Sequence, residues 1–145
     1  MEFHEPRSVS EALALVAGKS ETTFLAGGAS LVAMMNAKLV EPDELISLRR
    51  IDELTGIGSG DDGSLHMGAM TTHEEIAGHN GFQGGQSVIS QAAARIGHPA
   101  IRAMGTIGGA VGLADPAADY PPALVAANAR INIAGSAGNR SVSAE

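Results

Sequence analysis

The segment that most limits what this chain can fold into is Thr22-Thr23-Phe24-Leu25-Ala26-Gly27-Gly28-Ala29-Ser30-Leu31. Its first four residues are β-branched or apolar, the make-up of a short buried strand. Two glycines follow at once, and then Val32, Met34, Met35 and Leu39 recur at roughly helical spacing. Glu41-Pro42 breaks that helix, and Leu45-Ile46-Ser47-Leu48 reads as a second buried strand. Strand, glycine turn, helix and strand in succession predict a small parallel sheet joined by right-handed crossovers. The turn brings free backbone N–H groups and the positive end of a helix dipole to a place without bulky side chains, which suits an anion.

The flanking chain reads just as locally. Ser8-Val9-Ser10-Glu11 has the spacing of a capping box, so a helix should start there and end near Gly18. From Leu54 the period changes, and two short alternating stretches flank Gly60-Asp61-Asp62-Gly63, a hairpin turn signal. Thr72-His73-Glu74-Glu75 is a second capping box, opening a helix that Gly78 can end. Residues 86–96 carry Val88, Ile89, Ala92, Ala93 and Ile96 on one helical face. Pro99 is expected to force an extended passage into Ile101, followed by a glycine-rich loop over residues 105–119. Asp119 is placed to cap a helix that tolerates Pro121 and Pro122 in its first turn. Residues 130–134 read as a strand, 135–139 as a turn and 140–143 as the start of a return strand, so the chain is expected to stop in mid-hairpin.

The loop at 105–119, G-T-I-G-G-A-V-G-L-A-D-P-A-A-D, is the second feature that points to chemistry. Its glycines let a backbone approach a ligand closely, and its two carboxylates follow with no cation among them. No Lys follows either glycine turn, which argues against a P-loop. The five histidines, His4, His66, His73, His79 and His98, are scattered without metal-ligand spacing and are expected to be solvated or capping. Glu75 is explained by its capping box and Asp61-Asp62 by the turn. No Ser-His-Asp or metal constellation stands out, so no catalytic residue and no metal site are assigned.

Composition sets the outer limits. The 145 residues are enough for one ordinary domain with a core, and a net charge of −7 without a Lys/Arg run disfavours nucleic acid. With no cysteine, neither disulfides nor thiolate-ligated iron–sulfur clusters can form within the chain. No apolar run has membrane-spanning length and the N-terminus lacks a signal peptide's basic and apolar regions, so membrane insertion is not expected and a cytoplasmic chain is.

Taken in order, F-x-x-P-x-S-x-x-E-A-L from Phe3, A-G-G-A-S-L from Ala26, G-A-M-T-T-H-x-x-I from Gly68, Ile101-Arg102, T-I-G-G from Thr106 and D-P-A-A-D from Asp115 resemble one family. It is the FAD-binding medium subunit of molybdenum hydroxylases, the group of xanthine dehydrogenase and aerobic carbon monoxide dehydrogenase. The resemblance implies an α+β, vanillyl-alcohol-oxidase-like (PCMH-type) FAD-binding fold. A small parallel β-α-β subdomain would occupy residues 1–53, followed by an incomplete second α+β subdomain over residues 54–145. It implies FAD contacts from Ala26, Gly27, Gly28, Ala29, Ser30 and Leu31, with the pyrophosphate on that loop. It further implies contacts from Thr106, Ile107, Gly108 and Gly109, and polar contacts from Asp119 and, second to it, Asp115. The implied role is an oxidoreductase subunit that passes electrons to an external acceptor. Its partners would be a large molybdenum-binding subunit and a small [2Fe-2S] subunit, which hold the other cofactors. Two positions depart from the family pattern, where Asn is common: Ala103 after Ile101-Arg102 and Ala110 after T-I-G-G. Family members also continue beyond the length seen here, which leads to the expectation of a truncated or split form, or of a fragment of a longer chain. The alternative reading is a truncated relative that no longer binds flavin and serves as a structural or assembly partner.

Overall fold

The structure is a computed structural model that describes residues 1–19 and 21–145. Strands β1 (Glu2–His4), β2 (Thr22–Leu25) and β3 (Glu44–Ser47) form a parallel sheet in the order β1-β3-β2. Glu2 pairs with Glu44 on one side of β3 and Thr22 with Glu44 on the other. As the central strand, β3 is covered on both faces: Leu45 is 4% exposed, Ile46 0% and Ser47 5%.

Helix α1 (Val9–Val16) lays Ala12 against Ile46 and Ile51 to make the first core cluster. Its N-terminus is capped as expected on one side, with the Ser8 hydroxyl accepting from the Glu11 amide at 3.1 Å. The return arm differs, because the Glu11 carboxylate takes the Arg7 amide rather than that of Ser8. Helix α2 (Leu31–Asn36) is short and stops before Glu41-Pro42. Lys38 adopts a left-handed φ of 56°, and the Lys38 and Leu39 amides close on the carbonyls of Met35 and Met34. The helix is therefore ended by its own backbone closure, with the proline lying downstream.

Beyond residue 54 the chain packs around a second cluster that includes Ile76, Ile89, Ala93, Ile107, Tyr120 and Leu124. Strands β4 (Ile57–Ser59) and β5 (Leu65–Met67) pair antiparallel across the expected turn. Helix α3 (His73–Gly78) has the full capping box: the Thr72 hydroxyl accepts from the Glu75 amide, and the Glu75 carboxylate from the Thr72 amide at 2.7 Å. Helix α4 (Ser87–Arg95) packs its Ile89, Ala92 and Ala93 face against that core.

Three expectations are corrected here. The passage after Pro99 is helix α5 (Pro99–Met104), with Pro99 in its first turn, where the missing N–H costs nothing. The stretch at 105–119 is in large part helix α6 (Ile107–Leu113), because the Thr106 hydroxyl caps it by accepting from the Gly109 amide at 3.1 Å. As expected, strands β6 (Arg130–Ile133) and β7 (Arg140–Ser143) pair antiparallel across the turn, with Arg130 opposite Ser143. Helix α7 (Tyr120–Ala126) starts at Asp119 as expected, yet the Asp119 side chain makes no capping bond. Among the described residues, no helix is long and apolar enough to cross a membrane.

Candidate functional site

The two glycine segments meet. A Cβ on Gly27 would overlap the carbonyl of Met104, the last residue of α5, so only glycine lets the first loop lie on this backbone. Gly28 sits at φ +80°, a conformation that side chains disfavour. On the other side, a Cβ on Gly109 would reach the Ala26 methyl at 3.6 Å. The sheet end after β2 and the N-terminus of α6 thus form one continuous small-residue surface.

Their hydrogen-bonding states differ. Among the described residues, the amides of Gly27, Gly28, Ala29, Ser30 and Leu31 donate to no protein acceptor, and the Ser30 hydroxyl caps nothing. In the second segment the Ile107 amide goes to the Thr71 carbonyl at 3.0 Å and the Gly108 amide to the Ala69 carbonyl at 2.8 Å. The Gly109 amide goes to the Thr106 hydroxyl at 3.1 Å and the Ala110 amide to the Thr106 carbonyl at 3.0 Å. What the second segment leaves over is Thr106 itself. It is 3% exposed, and among the described residues its amide has no acceptor. Its hydroxyl accepts from Gly109 but keeps a proton to give. Because buried backbone donors are seldom left unpaired, the Thr106 amide is a donor able to meet an acceptor from outside the protein. A row of free amides beside an unpaired Thr106 is a donor set for oxygen-rich anions such as phosphates.

The acids lie farther along. Asp115 and Asp119 are both exposed. One oxygen of Asp115 accepts from the Ala117 amide at 2.9 Å, and Asp119 has no hydrogen-bond partner among the described residues. A free carboxylate accepts hydroxyl protons and repels phosphate, so it suits the non-phosphate end of a ligand. Ala110 turns toward the second core rather than toward the small-residue surface, and Ala103 is exposed on α5. Arg102 is engaged elsewhere, donating to the carbonyls of Ile96 at 3.1 Å and Gly97 at 3.2 Å.

One residue pair was missed in the sequence. His73, expected to be solvated or capping, is 5% exposed, and its Nδ1 lies 3.1 Å from the hydroxyl of Tyr120, which is 1% exposed. Burial holds the imidazole below its ordinary value and pushes the phenol above its own, so both are neutral at neutral pH. The two residues are 47 positions apart, and no local spacing connects them. The Glu2, His4 and Glu44 side chains also converge, and Lys19 closes on Glu44 at 2.7 Å and holds that carboxyl below its usual range. A lysine at that place supplies the positive charge this group calls for.

Comparison with known proteins follows the same outline. Residues 1–145 match the family described as the FAD binding domain in molybdopterin dehydrogenase. The chain is 36% identical over 137 residues to the glyceraldehyde dehydrogenase medium chain of Sulfolobus acidocaldarius, covering 94% of this chain and 48% of that protein. It is 36% identical over 145 residues to the carbon monoxide dehydrogenase medium chain of Hydrogenophaga pseudoflava, covering 99% of this chain and 50% of that one. A solved structure of carbon monoxide dehydrogenase from Hydrogenophaga pseudoflava superposes with a TM-score of 0.94 at 36% identity, over 99% of this chain and 50% of its own. The chain thus spans about half the length of the curated relatives it matches. With residues 1–145 matched by the family and relatives at 36% identity across nearly the whole chain, this protein belongs to the family of FAD-binding domains of molybdopterin dehydrogenases.

Proposed function

We propose that this chain forms the FAD-holding part of the medium subunit of a molybdenum-containing hydroxylase. The observation that carries the reading is the run of amides from residue 27 to 31, unpaired among the described residues, beside the buried and likewise unpaired amide of Thr106. FAD fits this donor set: its pyrophosphate needs several N–H donors and close backbone approach, which Gly27 and Gly28 permit. Ala26, Gly27, Gly28, Ala29, Ser30 and Leu31 would hold the pyrophosphate. Thr106 would add its amide and hydroxyl, while Ile107, Gly108 and Gly109, their amides already used, would offer surface only. Asp119, and less directly Asp115, would accept from ligand hydroxyls.

When bound, FAD supplies the exchange of electrons between carriers, and the chain's part is to hold and orient it. The two core clusters support dividing the chain near residue 53 into two subdomains of a PCMH-type fold, with the ligand at their junction. The named relatives are chains of dehydrogenases, which supports a complex with a molybdenum-binding large subunit and a [2Fe-2S] small subunit feeding electrons to the flavin. The test is purification with the partner subunits followed by visible spectroscopy. Flavin absorbance at about one FAD per chain is expected. Absence of flavin, with no uptake of added FAD, would overturn the reading.

A further inference from the structure

We propose that His73 is a positioning residue that sets the register between the Gly105-Thr106 turn and Asp119, a proposal that rests on the flavin reading above. Three contacts converge on it. Its backbone amide donates to the Gly105 carbonyl at 3.0 Å. Its ring packs on Gly105 so closely that a Cβ there would come within 2.6 Å of Nε2. Its Nδ1 meets the Tyr120 hydroxyl at 3.1 Å, with the rings tilted at 52° and their centroids 5.3 Å apart.

These contacts reach both ends of the proposed ligand bed. Gly105 is followed by Thr106, and Tyr120 is the first residue of α7, directly after the free carboxylate of Asp119. The carbonyl of Met104, on the other side of Gly105, is where Gly27 rests. Among the described residues the Asp119 side chain has no hydrogen-bond partner, so its placement falls to its neighbour Tyr120. Tyr120 is held by the buried core and by His73. The hydrogen bond therefore does more than fill a core: it fixes where the acid stands relative to the amides. The isolated bridge between Thr72 and Thr106 holds the same junction from the adjacent residues and keeps His73 at the start of α3.

The test is a double-mutant cycle on FAD affinity, measured on the protein as isolated with its partner subunits. Y120F keeps the ring and removes only the hydroxyl. It is expected to weaken FAD about fivefold, which is ~1 kcal/mol at 1.4 kcal/mol per tenfold. In the D119N background the same change is expected to cost less than about twofold, because the pair acts through the acid. H73N, whose side-chain amide can stand where Nδ1 stands, should retain affinity better than H73A. The visible circular dichroism of the bound flavin should change in Y120F and H73A. Additive effects of Y120F and D119N, or unchanged affinity and spectrum in a folded Y120F, overturn the positioning proposal alone. Wild-type protein that takes up no FAD overturns the flavin reading and this proposal together.

Discussion

The Nδ1 of His73 and the hydroxyl of Tyr120 stand 3.1 Å apart inside the second core, joining two helix N-termini. Removing the hydroxyl leaves a buried ring nitrogen without its partner, which costs ~1–2 kcal/mol. Y120F should therefore lower the unfolding free energy by that amount, read as a lower urea midpoint at an unchanged slope. A midpoint equal to wild type would mean that the pair carries no stability.

The same pair gives stability a defined pH profile. Burial depresses the folded-state value of His73 below its ordinary 6.5, so as pH falls the unfolded chain takes up a proton first and stability is lost from about 6.5 downward. Burial raises Tyr120 above its ordinary 10.0, so the unfolded chain releases its proton first and stability is lost above that pH. Glu44, lowered chiefly by its hydrogen bond from Lys19, acts only below its ordinary 4.5 and does not overlap the histidine window. The pair's contribution to the unfolding free energy should be constant between 6.5 and 10.0, and the alkaline fall attributable to Tyr120 should vanish in Y120F.

Gly27→Ala would drive a methyl into the Met104 carbonyl, which is backbone and cannot rotate away. Forcing the two loops apart should cost ~1–3 kcal/mol in stability and move the row of free amides off Thr106. FAD affinity should fall at least about tenfold, the equivalent of ~1.4 kcal/mol. Isothermal titration of the folded variant checks this, and wild-type affinity would show that the loop contact is irrelevant to binding.

How much of this could be read in advance follows the range of each interaction. The Thr72–Glu75 capping box and the turn at residues 60–63 depend on neighbours within four positions, and both were legible. Strand β1 was not, since three residues with one large apolar side chain become a strand only by pairing with β3, some forty positions away. At 105–119 the glycines suggested a loop, while the Thr106 cap, a single hydroxyl, carried the contrary signal for α6. Pro99 was ambiguous by nature, because proline both breaks helices and begins them. For the site, the glycine residues themselves were visible from composition and order. Which amides remain free was not, since Ala69 and Thr71 reach the second segment through tertiary packing. The His73–Tyr120 pair needed the fold outright.

Ala114 ends α6 in the left-handed region at φ 52°, a conformation that costs an alanine ~1 kcal/mol. Ala114→Gly should raise stability by ~0.5–1 kcal/mol, less what glycine adds to the freedom of the unfolded chain. Thermal unfolding should show a small upward shift in Tm. A downward shift would mean that the methyl group makes contacts worth more than the strain.

Arg102 donates to the carbonyls of Ile96 and Gly97 just past the end of α4. Arg102→Ala should cost ~1–2 kcal/mol, measured by chemical denaturation, through loss of two charge-assisted bonds at a partly exposed position. Arg102→Lys, with a single ammonium in place of the fork, should recover only part.

On the flavin reading proposed above, the amides at residues 27–31 and at Thr106 are the groups that would grip FAD. Hydrogen exchange of the protein in its isolated complex, with and without FAD, tests it at the atoms concerned. FAD is expected to slow exchange strongly at residues 27–31 and at Thr106, with little change at Ile107 to Ala110, whose amides are already bonded within the protein. FAD binding that leaves residues 27–31 unprotected would contradict it.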